Sequence, residues 1–353
     1  MPEPVPRSDR IVIVDDSRFD AHEDPTGSHP ECPERLVAAR EGLYGNLGDA
    51  ERILLPPREA NDVELTRIHR PDYIAALRSQ LQASGGHLDP DTYFCRGTRE
   101  AAWLAAGGAV DLARALVVGP ATQGFALLRP PGHHAVPGRS MGFCLLNNVA
   151  LAAAAALDAG LSRVAIVDWD VHHGNGTQDA FYDDPRVLFI SLHQYPYYPG
   201  TGAPREIGAG KGMGFTCNLA LPAGSGPETY AVAFTDVVLP LLRAYAPEFV
   251  LVSAGFDAHA RDPLASMQLH SHSYAAMASS LIDLVTSLGH GRIGCVLEGG
   301  YDLAALSDST AAVARALRGE RVELPTGKLH PQERAAIDAT LHYLKPCWPS
   351  VFV

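Results

Sequence analysis

Short, nearly uninterrupted apolar runs recur along this chain and alternate with longer stretches rich in alanine and leucine. Parallel strands that are buried on both faces have such continuous runs, whereas half-exposed strands alternate apolar and polar residues. The pattern therefore predicts an α/β fold, with a mostly parallel sheet covered by helices on both faces. The predicted strands are 11–14, 125–129, 164–168, 187–192, 248–253 and 293–297. The predicted helices are 34–44, 99–117, 145–159, 227–245, 273–288 and 304–317.

The length of 353 residues and a hydrophobic content of 46% are sufficient for one large core. The sequence shows no internal repeat, low-complexity tract or long linker that would divide it. We therefore interpret residues 1–353 as a single domain. Within it, the polar segment 321–353 is predicted to be a C-terminal tail packed on the surface.

Charge and cysteine content limit the partners and the compartment. The formal net charge is -12 and Lys and Arg are not clustered, which argues against nucleic acid as a partner, although an acidic rim would suit a cationic substrate. Six scattered cysteines without a CxxC pair are typical of a chain that forms no disulfides. No apolar run is long enough for a membrane span, and the N-terminal MPEPVPRSDR lacks a secretory signal. We expect a cytoplasmic protein with no membrane partner.

Five predicted strands are followed by residues that can do chemistry. In open α/β sheets, ligands bind beyond the carboxyl ends of the strands, so these residues should meet at one edge. They are His133 and His134 after the second strand, Asp168 to His173 after the third, Ser191 to His193 after the fourth, Asp257 after the fifth, and Glu298 to Tyr301 after the sixth.

The stretch VDWDVHHGNG predicts a metal site. In an extended chain Asp168, Asp170 and His172 point to the same side, and neighbouring carboxylates resist burial unless a cation lies between them. Asp257, from another strand end, is the natural further ligand. An Asp, His, Asp set with open positions suits a catalytic Zn²⁺. Taken alone, the motif could equally be a solvated loop or a set of ordinary ion pairs.

The residues His133 and His134 follow a Pro-Pro-Gly run that fixes the backbone. Hydrolysis at a metal needs a base and an acid, and two imidazoles of different pKa could divide this work. Asp168 is a candidate to orient one histidine and Asn175 the other. Tyr301, after two glycines, could donate to a developing oxyanion. A surface histidine pair and a loop aromatic remain the structural alternatives.

The sequence resembles the zinc-dependent histone deacetylase family, nearest its class II and bacterial deacetylase-like amidohydrolase members. This resemblance implies the arginase/deacetylase fold, a single domain with about eight mostly parallel strands and an active site at their carboxyl ends. The matching segments are HPECPERL (29–36), RPPGHHA (129–135), GFCLLNNVALA (142–152), VDWDVHHGNGTQDAFY (167–182), SLHQYPYYPGTG (191–202), GFDAHARDPL (255–264) and LEGGYD (297–302).

The resemblance implies a role for each matching residue. Asp170, His172 and Asp257 would bind one Zn²⁺ per chain. His134 would be the general base and then the acid, with His133 as its electrostatic partner bonded to Asp168. Tyr301 would polarise the scissile carbonyl. Asn175 stands where class I members have aspartate.

Further positions of the resemblance concern substrate and potassium. The residues implied to bind substrate are Gly142, Phe143, Tyr198, Leu264, Asp91 and Arg35, with Tyr198 a departure from the usual phenylalanine and Arg35 in the inner acetate pocket. Leu264 stands where polyamine-specific members carry glutamate. Structural K⁺ would be held by Asp168, Asp170, His172, Ser191 and Leu192, and at a second site by Phe181, Asp184, Val187 and Phe215.

We therefore predict a deacetylase that hydrolyses acetyl- or acyl-lysine-type amides. The alternatives are an acetylpolyamine or other small-molecule amidohydrolase, an arginase-like enzyme with two Mn²⁺ ions, and a degenerate protein that only binds acyl chains. The sequence leaves open whether the chain forms a homo-oligomer.

Overall fold

The apolar runs form an eight-stranded sheet in which every paired strand is parallel to its neighbour. The structure is a computed structural model, and it describes residues 8–352. Residues 1–7 and residue 353 lie outside the described residues. The expectation of no secretory signal concerns residues 1–10 and therefore falls mostly outside them.

Ten strands are present in the described part of the chain. Eight of them form the main sheet in the order β2-β1-β5-β10-β9-β6-β7-β8, and β3 and β4 form a separate antiparallel hairpin. The strands are β1 (Ile11–Val14), β2 (Arg52–Leu55), β3 (Gly85–Asp89), β4 (Thr92–Cys95), β5 (Gln123–Ala126), β6 (Val164–Asp168), β7 (Val187–Gln194), β8 (Thr216–Leu221), β9 (Phe249–Ala254) and β10 (Ile293–Leu297).

Helices connect the strands and cover both faces of the sheet. They are α1 (Glu34–Tyr44), α2 (Asp62–Leu65), α3 (Pro71–Gln80), α4 (Thr98–Val118), α5 (Asn148–Asp158), α6 (Asn175–Phe181), α7 (Pro227–Ala233), α8 (Leu239–Tyr245), α9 (Ser271–Ser287), α10 (Leu303–Leu317) and α11 (Pro331–Leu344). Helix α4 packs on α5 and on β1 and β5, while α9 packs on β9, β10 and α10. The predicted α/β class with a parallel sheet is confirmed.

Complete burial explains why the central strands have continuous apolar runs. Every residue of β6, β7, β9 and β10 is buried. Because helices cover these strands on both sides, neither face can carry solvated side chains. The edge strand β2 differs, since it is only partly buried and exposes Leu54, and the sequence pattern missed it.

Three predicted elements differ most from the observed bounds. The strand predicted at 125–129 ends at Ala126, although the Leu127 N–H still bonds to the adjacent strand. The helix predicted at 145–159 begins at Asn148, because the Asn147 side chain caps it by accepting from the Ala150 N–H. The helix predicted at 227–245 is interrupted by a π-helical segment, Phe234–Val238. Pro240 lies two residues after this segment, and proline has no N–H to continue the α-helical ladder.

The segment 321–353, predicted as a packed tail, contains helix α11. This helix packs on the edge strand β8, where Thr340 Oγ1 donates to the Asn218 carbonyl at 2.7 Å. Leu344 at its end is fully buried. The described part of this segment therefore covers one open edge of the sheet.

By length and composition alone, helix α4 could cross a bilayer, contrary to the expectation from the apolar runs. An 18-residue window of it has a mean hydropathy of 1.5. However, 72% of that window is buried inside the protein, and core helices pass the same test of length and composition.

A buried ion cluster joins the start of the chain to the sheet. The Glu31 carboxylate accepts from Arg35 Nη1 at 3.0 Å and from Arg129 Nη2 at 2.7 Å, and all three side chains are fully buried. Burial alone would raise the pKa of Glu31, but the charges of Arg129 and His22 hold it well below its ordinary value. Arg35 also donates to the Gly300 carbonyl at 2.7 Å, so this cluster supports the loop after β10.

We expect Glu31→Gln to lower the free energy of unfolding by about 3–5 kcal/mol, because it leaves two buried guanidinium groups without their carboxylate. Equilibrium denaturation in guanidinium chloride measures this change. Glu59→Gln is the control, since Glu59 pairs with Arg99 at the surface at 2.7 Å and its loss should cost about 0–1 kcal/mol. Equal losses in the two variants would contradict the proposed importance of the buried cluster.

Candidate active site

Four adjacent strands, β5, β10, β9 and β6, end beside one another and carry the candidate catalytic residues. His133 and His134 follow β5, Tyr301 follows β10, Asp257 follows β9, and Asp170 follows β6. Neighbouring strands lie only about 4.8 Å apart, so loops distant in sequence meet at this edge. The structure thus brings together residues that span more than 160 positions of the chain.

Three residues form a compact ligand set at this edge. Ligand atoms of Asp170, His172 and Asp257 all lie within 4.8 Å of one another. His172 Nδ1 is 3.2 Å from Asp170 Oδ1 and 3.1 Å from Asp257 Oδ2. Asp168 is not part of this set, because its carboxylate faces His133 instead.

The electrostatics of the ligand set fit a bound cation. Asp170 and Asp257 are both fully buried. Burial and the charge of Asp170 raise the pKa of Asp257, whereas the charges of His133 and His172 overcome the effect of burial and lower the pKa of Asp170. Two buried carboxylates with an imidazole between them are the donors that a divalent metal ion such as zinc accepts.

Glycines give the ligand set its room. A Cβ at Gly299 would meet the carboxylate oxygens of both Asp257 and Asp170, so only glycine allows the loop after β10 to pass this close. The Gly299 N–H donates to Asp170 Oδ2 at 2.8 Å, and the Val171 N–H donates to Asp257 Oδ1 at 2.8 Å. These bonds orient the carboxylates, and the donor set therefore fits a metal ion.

The two adjacent histidines have different partners. His133 Nδ1 lies 3.0 Å from Asp168 Oδ2, and His134 Nδ1 lies 2.8 Å from Asn175 Oδ1. Burial favours the neutral form of His133, but the charges of Asp170 and Asp168 outweigh it and raise its pKa to about 10. Burial and the neighbouring charges of His133 and His172 hold the pKa of His134 well below its ordinary value. The pair therefore consists of a cationic and a neutral imidazole.

Tyr301 lines a cavity that it shares with the two histidines. Its ring lies edge-on to that of Phe143, with 5.8 Å between the ring centroids. Burial raises the pKa of its phenol well above the ordinary value, so it remains an O–H donor. Arg35 lies beneath it, with the guanidinium carbon 4.8 Å from the ring centroid. Arg35 is fully buried and is not among the residues that line the cavity beside Tyr301.

A cavity of about 220 Å³ leads from the ligand set to the surface, and its lining includes five of the six residues expected to bind substrate: Asp91, Gly142, Phe143, Tyr198 and Leu264. Tyr197 and Tyr198 are 40% and 36% exposed, which places them at the mouth. His134 and His172 line the interior, so the cavity connects the reactive groups with solvent.

The wall that carries Gly142 and Phe143 is held by the β3–β4 hairpin. The Gly142 N–H donates to Asp91 Oδ1 at 3.2 Å, and the Phe143 N–H donates to Thr92 Oγ1 at 3.1 Å. Gly142 has a φ of +58°, and a Cβ there would lie 2.5 Å from the His134 ring. Phe143 adopts a φ of +67°, a strained conformation that surrounding contacts must maintain. Asp91 thus supports the wall as well as lining it.

The residues expected to hold the first potassium ion surround the end of β6. Ser191 on β7 is the register partner of Asp168, and both are fully buried. Leu192 follows Ser191 in β7, and the Asp170 N–H donates to Asp168 Oδ1 at 3.1 Å. His172, the fifth residue of this group, lies in the same loop as Asp170.

The residues expected at the second potassium site lie where α6 ends and β7 and β8 begin. The Asp184 N–H donates to the Phe181 carbonyl at 3.1 Å, and the Val187 N–H donates to the Asp184 carbonyl at 3.3 Å. The Phe215 carbonyl accepts from the Phe189 N–H at 2.9 Å. Phe181, Asp184 and Val187 therefore share one turn, and Phe215 is bonded to β7 two residues beyond Val187.

Three further residues support the site, although the sequence assigned them no role. Glu298 accepts from the N–H groups of Gly132 at 2.7 Å and His133 at 3.1 Å, and burial raises its pKa to about 7. Asp262 lies in the loop after β9 and accepts from the Leu264 N–H, and Tyr197 Oη donates to the Leu264 carbonyl. These partners are all backbone groups, which leave no pattern in the sequence.

Comparisons with known proteins identify the family. The histone deacetylase domain matches residues 29–317. A "Probable deacetylase" from Archaeoglobus fulgidus is 41% identical over 311 residues, which cover 87% of this chain and 86% of that protein. The human "Polyamine deacetylase HDAC10" is 39% identical over 355 residues, covering 94% of this chain and 51% of that protein.

A solved structure gives the same result for the fold. The crystal structure of the HDA15 HD domain superimposes with a TM-score of 0.91 at 37% identity, covering 98% of this chain and 97% of that one. The fold and the site define a metal-dependent α/β hydrolase of the deacetylase type. This chain belongs to the histone deacetylase family.

We expect Asp257→Ala to weaken divalent metal binding by more than about 100-fold, because loss of an outer partner alone already costs about 10–100-fold. Elemental analysis after dialysis measures the bound metal. Asp91→Asn is the control, since Asp91 lines the same cavity outside the ligand set. Full metal content in Asp257→Ala would remove Asp257 from the site.

Proposed function

We propose that this chain is a zinc-dependent amidohydrolase that removes acetyl or related acyl groups from lysine-type amines. The products are the free amine and a carboxylate. The observation that carries the proposal is a single cavity that joins His172 of the metal-ligand set, two unequal histidines and a buried phenol to an entrance lined by aromatic and apolar side chains. The family membership supports the same chemistry.

Asp170, His172 and Asp257 would hold the zinc ion. Zinc there supplies Lewis acidity at the scissile carbonyl and at the attacking water. These three ligands leave positions open for substrate and water, as a catalytic site requires. Asp168 stays outside the set and keeps its bond to His133.

His134 is the proposed general base. Its Nδ1 is occupied by Asn175 Oδ1, so the lone pair available for a water proton is on Nε2. A low pKa keeps this imidazole neutral and ready to accept the proton. His134 then returns the proton to the departing amine, and cationic His133 beside it stabilises the negative charge that develops on the substrate.

Tyr301 is the proposed donor to the carbonyl oxygen. As the carbon becomes tetrahedral, negative charge develops on this oxygen, and a fixed O–H donor stabilises it. The Gly142 carbonyl would accept the substrate amide N–H. It already accepts the Cys144 thiol at 3.2 Å, and a carbonyl has a second lone pair free.

The entrance favours a long alkyl chain. Phe143 and Tyr198 would flank that chain, and apolar Leu264 stands at the mouth without a charge to read a distal ammonium. Arg35 would line the inner pocket that receives the released acyl group. Asp91 would hold backbone amides of the substrate at the rim.

A second candidate function is hydrolysis of acetylated polyamines, which the name of the human relative suggests. The observation in its favour is the net charge of -12 with Asp91 at the cavity, which suits a cationic substrate. Leu264 argues for the lysine-type amide. A two-manganese ureohydrolase is less well supported, since within residues 8–352 one group of three metal-type ligands was found.

The remaining features of the proposal concern environment and assembly. We infer a cytoplasmic protein with structural K⁺ at the two grouped sites and a single domain over residues 1–353. The six cysteines are free of disulfides, which agrees with a reducing compartment. The proposal includes neither nucleic acid nor membrane as a partner and leaves a homo-oligomer open.

A substrate panel with zinc-loaded protein tests the proposed function. We expect turnover of acetyl-lysine peptides above that of acetylspermidine and acetylputrescine, and complete inhibition by a hydroxamate chelator. Preference for the polyamines would favour the second candidate. Absence of turnover on a broad acyl panel, despite bound zinc and tight inhibitor binding, would leave only the acyl-binding alternative.

We expect Tyr301→Phe to lower kcat by about 10²–10³-fold, the usual cost of losing one oxyanion donor. Bound zinc should be unchanged, because Tyr301 is not in the ligand set. Steady-state kinetics with elemental analysis measures both. Near-full activity would exclude Tyr301 from the mechanism.

We expect Asn175→Asp to move the acid limb of the kcat/KM profile to higher pH by about 1–3 pH units. A carboxylate 2.8 Å from His134 would raise the pKa of this base, and its neutral form would then prevail only at higher pH. A pH series from 5 to 9 measures the limb. Tyr301→Phe, tested in parallel, should keep the wild-type limb, and an unmoved limb in Asn175→Asp would contradict His134 as the base.

A further inference from the structure

Asp262 is a buried carboxylate that the proposed mechanism leaves without a function. It lies in the loop after β9, five residues beyond Asp257, and is only 6% exposed. Within residues 8–352 it forms no ion pair with Lys or Arg, although a buried carboxylate usually needs one. Its oxygens instead accept three backbone N–H groups, from Leu264 at 3.0 Å, Tyr301 at 2.6 Å and Asp302 at 3.3 Å.

The bond to the Tyr301 N–H matters because of the sequence before it. Gly299 and Gly300 have no side chains to restrict the backbone, and Gly300 has a φ of +118°. The Gly300–Tyr301 peptide unit is held from both sides, since Arg35 Nε donates to its carbonyl at 2.7 Å and Asp262 accepts from its N–H. Fixing this peptide plane fixes the direction in which the Tyr301 side chain leaves the backbone.

The other oxygen of Asp262 holds the entrance of the cavity. It accepts from the Leu264 N–H, and the Leu264 carbonyl accepts from Tyr197 Oη at 2.8 Å. Gln194 fixes the same loop by accepting from the Ser266 N–H at 2.9 Å. The Asp262 carboxylate therefore connects Leu264, at the entrance of the cavity, with Tyr301 inside it.

We propose that Asp262 is a positioning residue that holds the Tyr301 peptide, and with it the phenol, in the orientation needed to donate to the substrate carbonyl. This inference rests on the proposed role of Tyr301. Misplacement of a catalytic group by about 1 Å can cost about 10²-fold in rate. Asp262 would act only through Tyr301, and it would touch neither substrate nor metal.

The test is a double-mutant cycle between Asp262 and Tyr301, assayed on an acetyl-lysine peptide with the zinc-loaded full chain. Asp262→Asn replaces one accepting oxygen by an NH₂ group. We expect it to lower kcat by about 10–100-fold, with KM and zinc content little changed. In a Tyr301→Phe background the same change should lower kcat by less than about 2-fold, because the phenol that Asp262 positions is already absent.

Glu248→Gln is the matched control. Its carboxylate also accepts two backbone N–H groups, from Ser162 at 2.6 Å and Arg163 at 3.0 Å. These residues lie at the amino ends of the strands, away from the active site. We expect its kcat to equal that of the wild type. Thermal unfolding of every variant shows whether the assays compare folded proteins.

Each outcome separates the inference from the proposed function. If Tyr301→Phe is active, the role of Tyr301 fails, whatever Asp262→Asn does. If Tyr301→Phe loses activity and the loss from Asp262→Asn is absent or fully additive, only the positioning role is overturned. Should Asp262→Asn not fold, Asp262→Glu gives the same comparison, since it displaces the oxygens by one methylene. Unfolding of both variants would assign Asp262 a purely structural role and overturn the proposal.

Discussion

The burial of two carboxylates side by side is the constraint on which the rest of this structure depends. Asp170 and Asp257 are withdrawn from water at the ends of neighbouring strands, and His172 lies between them. Such a group is stable only if backbone donors orient the oxygens and a cation compensates the charge. The Gly299 and Val171 N–H groups supply the first requirement. A metal ion held by Asp170, His172 and Asp257 would meet the second requirement.

The same constraint divides the work of the two adjacent histidines. The carboxylates of Asp170 and Asp168 raise the pKa of His133, so this imidazole is cationic. His134, one residue further, is neutral because burial and the charges of His133 and His172 lower its pKa. Adjacent residues of one type thus acquire opposite protonation states from their different surroundings. For an amidohydrolase this places a base and a fixed positive charge beside the scissile bond.

Much of this arrangement could be predicted from the sequence, because burial leaves a pattern. The bounds of β1, β6 and β10 follow from their continuous apolar runs, and the reactive residues follow from the rule that ligands bind at strand ends. β2 and β8 were missed because one is half-exposed and the other carries Thr216 and Asn218 among its apolar residues. Asp262 was missed because its partners are backbone N–H groups, two of them in the loop after β10, and such bonds depend on tertiary structure.

Glu298 joins two parts of the site that the chain order keeps apart. It precedes Tyr301 by three residues, and its carboxylate holds the N–H groups of Gly132 and His133 on the neighbouring loop. The loop of the proposed general base and the loop of the proposed oxyanion donor are therefore tied together by one buried side chain. A displacement of either loop would be passed to the other through the Glu298 carboxylate.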